Sequence, residues 1–77
     1  MKNANTKLYI IRLYFPDGYM EGLSIVAANS TEEAENVLTT TGHLKDYKID
    51  ILEMREIPGS CYNGEPVVIK EYLYKVN

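Results

Sequence analysis

The chain reads as an α+β domain in which one helix packs on one face of a four-stranded mixed sheet, built ββαββ with strand order 2-1-4-3. Three observations carry that reading. Only 27–42, A-A-N-S-T-E-E-A-E-N-V-L-T-T-T-G, has helical periodicity. The segments on either side are rich in β-branched and aromatic residues, the composition of strands. Pro16-Asp17-Gly18 separates the first two of them with a hairpin's turn chemistry.

The helix is specified at both ends. Ser30 at N-cap with Glu33 three residues on forms a capping box, each side chain meeting the other's backbone N–H. Glu32, Glu33 and Glu35 lie where the positive end of the macrodipole favours carboxylates. Gly42 is expected as the left-handed residue that closes the helix. Ala34, Val37, Leu38 and Thr41 form a thin stripe at i, i+3, i+4 and i+7, enough to cover one sheet face.

Residues 1–6 are polar and expected to be disordered, leaving 7–77 as the single domain. The first strand, Lys7 to Phe15, carries Arg12 as its only internal charge. Gly18 is expected in the left-handed bulge position of a three-residue turn, which sets Phe15 opposite Tyr19. Leu13 then faces Glu21, Ile11 faces Leu23, and Tyr9 faces Ile25. Because side chains alternate with period two, Tyr9, Ile11, Leu13, Phe15, Leu23 and Ile25 should form the helix-facing core. The opposite face would pair Leu8 with Val26, Ile10 with Ser24, Arg12 with Gly22, and Tyr14 with Met20.

After a connector at 43–46, a third strand runs from Tyr47 to Ile57. Its apolar residues switch parity between Ile51 and Leu52, the signature of a β-bulge or of burial on both sides. The run P-G-S-C-Y-N-G-E-P over 58–66 is a loop. Val67 to Val76 is a fourth strand, apolar on both faces. Strands one and four have the longest apolar runs and are therefore expected in the centre, pairing in parallel. Strands two and three then lie on the edges.

Composition bounds the function. A 77-residue chain is near the lower limit for folding on its own core, and such domains lean on disulfides, a metal or a partner. One cysteine, Cys61, forbids an intrachain disulfide, and no ligand spacing suggests a metal or other cofactor. A partner subunit remains. The net charge of −3 argues against nucleic acid. No apolar run approaches the length of a membrane span, and the N-terminus lacks a signal peptide's apolar core. With a free thiol, these features point to the cytoplasm.

Individual chemical motifs are thin. Cys61 and His43 form the only conceivable nucleophile–base pair, yet neither has a motif around it. Asp46, Asp50, Glu53 and Glu56 alternate with Lys48 and Arg55, the pattern of a solvated strand face with cross-strand ion pairs. Asn29-Ser30-Thr31 matches a glycosylation acceptor but is explained by the cap. Gly42, Gly59 and Gly64 are not followed by the residues of a phosphate loop.

Seven tyrosines without a tryptophan are the more telling feature. Leu8, Ile10, Arg12, Tyr14, Met20, Val26, Tyr72 and Tyr74 are expected on the face away from the helix, with Tyr62 nearby in the loop. Tyrosine and arginine are enriched at interface hot spots. Aromatics on an open sheet also suit single-stranded RNA, but the acidic balance and missing ribonucleoprotein motifs oppose that use.

The junction S-I-V-A-A-N-S-T-E-E-A-E-N-V resembles one found in small uncharacterised α+β proteins of bacteria and their mobile elements, where a V-x-A strand end is followed by an S-x-E-E-A helix start. The resemblance implies a ββαββ sheet and brings no catalytic residue or ligand. The expectation is therefore a non-enzymatic interaction or accessory domain, a homodimer through its helix-free sheet face with possible contact to another protein. The alternative is a small-ligand-binding domain using the Tyr14, Arg12 and Tyr72 surface.

Overall fold

The computed structural model describes residues 5–18 and 20–75, with the backbone alone at Lys75. It contains β1 (Asn5–Phe15), β2 (Met20–Ala28), α1 (Thr31–Thr41), β3 (Asp50–Glu56), β4 (Tyr62–Asn63) and β5 (Val67–Lys75). The class is α+β, as the sequence implies. The sheet is antiparallel throughout, in the order β3-β1-β2-β5, with β4 pairing the start of β1.

This order corrects the expected 2-1-4-3. The strand directions agree with expectation, but β2 and not the last strand lies beside β1 in the centre. Charge explains the exchange. Within its structural bounds β2 carries only Glu21, whereas β3 carries Asp50, Glu53, Arg55 and Glu56, and β5 carries Lys70, Glu71 and Lys75. The two charged strands take the edges. The parallel pairing of first and last strands is absent, because β5 joins β2 antiparallel.

β1 begins at Asn5, two residues before the expected start, and β4 holds it there: Asn5 pairs with Asn63 and Thr6 with Tyr62. The Thr6 hydroxyl donates to the carbonyls of Tyr62 and Gly64 at 3.3 and 3.4 Å. The expected disorder of 1–4 falls outside the described residues. Between β3 and β4 the Ser60 amide donates to the Ile57 carbonyl at 3.1 Å. Pro58 and Gly59 occupy the central positions, and Gly59 has φ 73°. That is the type II pattern, which needs a residue tolerant of positive φ at its second central position.

The β1–β2 register differs by one residue from expectation. Phe15 pairs with Met20, Leu13 with Gly22, Ile11 with Ser24 and Tyr9 with Val26. Tyr19 lies outside the described residues. Gly18 does not take a left-handed conformation; its amide donates to the Phe15 carbonyl at 3.2 Å. Four residues rather than three join the strands, and with a period of two that single residue inverts every side chain of β2. Val26 and Ala28 enter the core and Met20 packs against it, while Leu23 and Ile25 move to the other face.

The helix-facing core contains Tyr9, Ile11, Leu13, Phe15, Val26, Ala28, Ala34, Val37, Leu38 and Leu44. Leu44, in the expected connector, is almost fully buried. Tyr47, expected to open the third strand, is exposed and sets its ring edge-on to Phe15, with centroids 6.2 Å apart. In β3, Arg12 pairs with Glu53 and Leu13 with Ile51, so Leu52 is the extra residue of the expected bulge.

The Ser30 hydroxyl accepts from the Glu33 amide at 3.1 Å. Glu33 reaches back one residue further than a regular capping box does, accepting from the Asn29 amide at 2.7 Å and its side-chain amide at 2.9 Å. Gly42 is extended (φ −84°, ψ 178°), not left-handed. Its role is close approach: a Cβ there would stand 3.1 Å from Glu71 Oε2 and 3.2 Å from Val68 Cγ2. Near this end Thr39, Thr40 and Thr41 donate their hydroxyls to carbonyls one turn back.

Candidate interaction surface

Among the described residues the helix covers one face of the sheet and the other has no second layer. Cross-strand partners in an antiparallel pair share a face, so the register places the residues of that open face in rows. One row runs Arg55, Ile10, Ile25, Lys70 across β3, β1, β2 and β5. The next runs Glu53, Arg12, Leu23, Tyr72, and a third Asp50, Tyr14, Glu21, Tyr74. Leu8 and Ala27 lie beyond, toward Val67.

Of the eight residues expected here, Leu8, Ile10, Arg12, Tyr14, Tyr72 and Tyr74 share this face. Met20 and Val26 do not: the one-residue shift turns both toward the helix, and Val26 is fully buried there. Leu23 and Ile25 take their places. Sequence reasoning missed them because the turn length, which sets β2's parity, is not legible from Pro16-Asp17-Gly18 alone. The small residues of β2 were the available signal. Gly22, Ser24 and Ala28 suit a crowded helix-facing side, and that assignment forces Leu23 and Ile25 outward.

The face has a charged margin along β3, and Arg12 and Glu21 stand among apolar residues on the central strands. Leu8, Ile10, Tyr14, Leu23 and Ile25 are half-buried, and Tyr72 and Tyr74 are each 48% exposed. Arg12 Nη1 meets Glu53 Oε1 at 3.2 Å, and Arg55 reaches the other oxygen of Glu53 at the same distance. On the helix side of the same edge Lys7 meets Glu56 at 3.7 Å. These pairs are exposed, so each contributes at most about 1 kcal/mol. Lys70 Nζ stands 5.8 Å from the Tyr72 ring centroid.

The tyrosines do not form one cluster. Tyr9 is in the core, Tyr62 belongs to β4, and Tyr14, Tyr72 and Tyr74 line the open face. Cys61 and His43 are not brought together. Cys61 is exposed beside β4, which pairs with Thr6, whereas Nδ1 of His43 meets Oε1 of Glu71 at 3.3 Å. Glu71 pairs with Ser24 and Ser24 with Ile11, five residues along β1 from Thr6, or about 16 Å at the usual strand rise. Glu53 and Glu56 are engaged in ion pairs, and no group of three or more metal-ligating side chains occurs among the described residues.

A concavity of about 630 Å³ opens on the helix side, not on the tyrosine face. Phe15, Met20, Leu44, Tyr47 and Leu73 form its apolar walls, with Asp17, His43, Lys48 and Glu71 as its polar lining. Glu71 Oε2 is buried without a hydrogen-bond partner. Among the described residues no helix is long and apolar enough to cross a membrane. Comparison of the chain with protein-family models, curated proteins and solved structures gave no match.

Proposed function

We propose that this chain is a non-enzymatic cytoplasmic interaction domain that acts as a homodimer, the helix-free faces of two sheets meeting across a two-fold axis. Its role is accessory, exerted through protein contacts. One observation carries the reading: Ile10, Leu23, Ile25, Tyr72 and Tyr74 share a sheet face that no helix among the described residues covers. Aliphatic, tyrosine and arginine side chains together are the composition of a protein interface, and an apolar patch on a small domain commonly marks a partner surface. A two-fold axis presents the same patch to itself.

Sedimentation of the wild type at micromolar concentration should give the mass of a dimer or more. Ile10→Glu places a carboxylate within the patch and should abolish association through this face and lower that mass, while Lys45→Ala, away from the face, should leave it unchanged. A wild type that is monomeric at every concentration defeats the proposal. A second reading, small-ligand binding, is favoured by the helix-side groove, whose volume lies in the range of ligand pockets. It would show as shifts of the Leu44 and Leu73 methyl resonances in a screen of small apolar compounds, and absence of any shift would remove it.

A further inference from the structure

The two edges of the sheet are not alike. β3 has four charged residues in seven and a bulge at Leu52. β5 is charged at Lys70, Glu71 and Lys75 and has a register shift of its own at Ile69, but its end at 72–74 puts apolar side chains on both faces of the sheet. Of the seven large hydrophobics exposed among the described residues, five lie on it: Val67, Ile69, Tyr72, Leu73 and Tyr74. The face-to-face contact proposed above accounts for Tyr72 and Tyr74 but not for Leu73, which pairs with Gly22 on the helix side and is 50% exposed there.

Apolar side chains exposed on both faces along 72–74 suit a strand that has neighbours on both edges. In one copy β5 is an edge. We infer that β5 is completed by β5 of a second copy, the two edges pairing antiparallel across a two-fold axis normal to the sheet into one continuous sheet. The occupant follows from the geometry. An open edge accepts an extended strand through its free N–H and C=O groups, and the same strand of another copy is always present at equal concentration.

The axis also limits the register. A two-fold normal to the sheet sets like face against like face, so each residue opposes one an even number of positions away. Centring the axis on Lys70 or Glu71 would oppose like charges. Centring it on Tyr72 is the longest register free of that defect. It sets Lys70 against Tyr74 of the second copy, a cation beside an aromatic ring, and Leu73 against Glu71 of the second copy.

This inference stands apart from the sheet-face reading, and substitutions at Leu73 separate the two. Leu73→Glu sets two like-charge pairs directly opposite each other across the axis and should weaken edge pairing about tenfold or more. Leu73→Lys supplies a countercharge to Glu71 at the same place and should keep it. Both changes are on the helix side and leave the open face intact. Sedimentation should therefore show Leu73→Glu losing association that the wild type and Leu73→Lys retain, with Ile10→Glu reporting on the open face separately. Amide exchange of the wild type adds a measurement that needs no variant: residues 69–75 should show protection of every amide, increasing with concentration. If Leu73→Glu associates as the wild type does, or alternate β5 amides exchange freely at high concentration, edge pairing is wrong whatever Ile10→Glu does. If Leu73→Lys dissociates together with Leu73→Glu, the Tyr72-centred register is overturned.

Discussion

Ser30 and Gly42 bound the same helix, and the structure gives them different kinds of work. The Ser30 hydroxyl satisfies an amide that has no partner inside the helix. Ser30→Ala should therefore lower stability by about 1 kcal/mol, within the usual cap range of roughly 0.5–2. Denaturant midpoints that agree within error would show that the cap carries no stability. Gly42 has a φ open to any residue, so alanine there would ordinarily stabilise by roughly 0.4–1 kcal/mol through the unfolded chain. Its crowded surroundings reverse that expectation. A Cβ would press on Val68, Glu71 and the Leu38 carbonyl, and overpacking of this kind costs about 1–3 kcal/mol. Gly42→Ala should be a net loss by chemical denaturation; a gain would mean that the β5 side chains move aside freely. The capping chemistry was legible in the sequence because it is local. The reason for Gly42 was not, because it depends on which strand lies beneath the helix end.

At the scale of the element, β2 shows what sequence can and cannot fix. Its existence and length follow from composition, but its facing depends on a turn whose length differs by one residue from the expected one. The consequence can be measured. Val26 is fully buried in the core, while Leu23 is half-buried on the open face. Val26→Asp leaves a carboxylate in the core without a partner and should destabilise by more than about 3 kcal/mol, enough to unfold a domain this small. Leu23→Asp should leave the monomer folded, with a cost of about 1 kcal/mol, and act on association instead. Equal losses at the two positions would contradict the observed register. The β3 bulge, by contrast, was one of the two readings that parity allowed, since Ile51 and Leu52 sit next to each other in a strand that otherwise alternates. For β5 the apolar run was read correctly and its place in the sheet was not. Edge and centre are decided by competition among strands, and β2 with one charge took the centre over β5 with three.

For the whole molecule the deciding quantity is how little one helix can cover. The Cα extents are 47 × 24 × 17 Å, a thin two-layer body in which an eleven-residue helix lies on one side of a long sheet. The core between them is small, and a domain of this size buries only about 60% of the surface that its unfolded chain exposes. Each further apolar side chain fully withdrawn from water contributes about 1.5–3 kcal/mol, and a second copy is the nearest source of that burial. Folding and association should then be linked. For a dimer that unfolds to two chains, mass action adds about 1.4 kcal/mol of apparent stability for each tenfold rise in concentration. The thermal midpoint should accordingly climb across a hundredfold concentration series in the wild type. In Ile10→Glu combined with Leu73→Glu, both associating surfaces are altered, and the midpoint should be lower and independent of concentration. A wild-type midpoint that stays fixed over the series would mean that the single helix and its ten-residue core suffice, and that neither surface is needed for the fold.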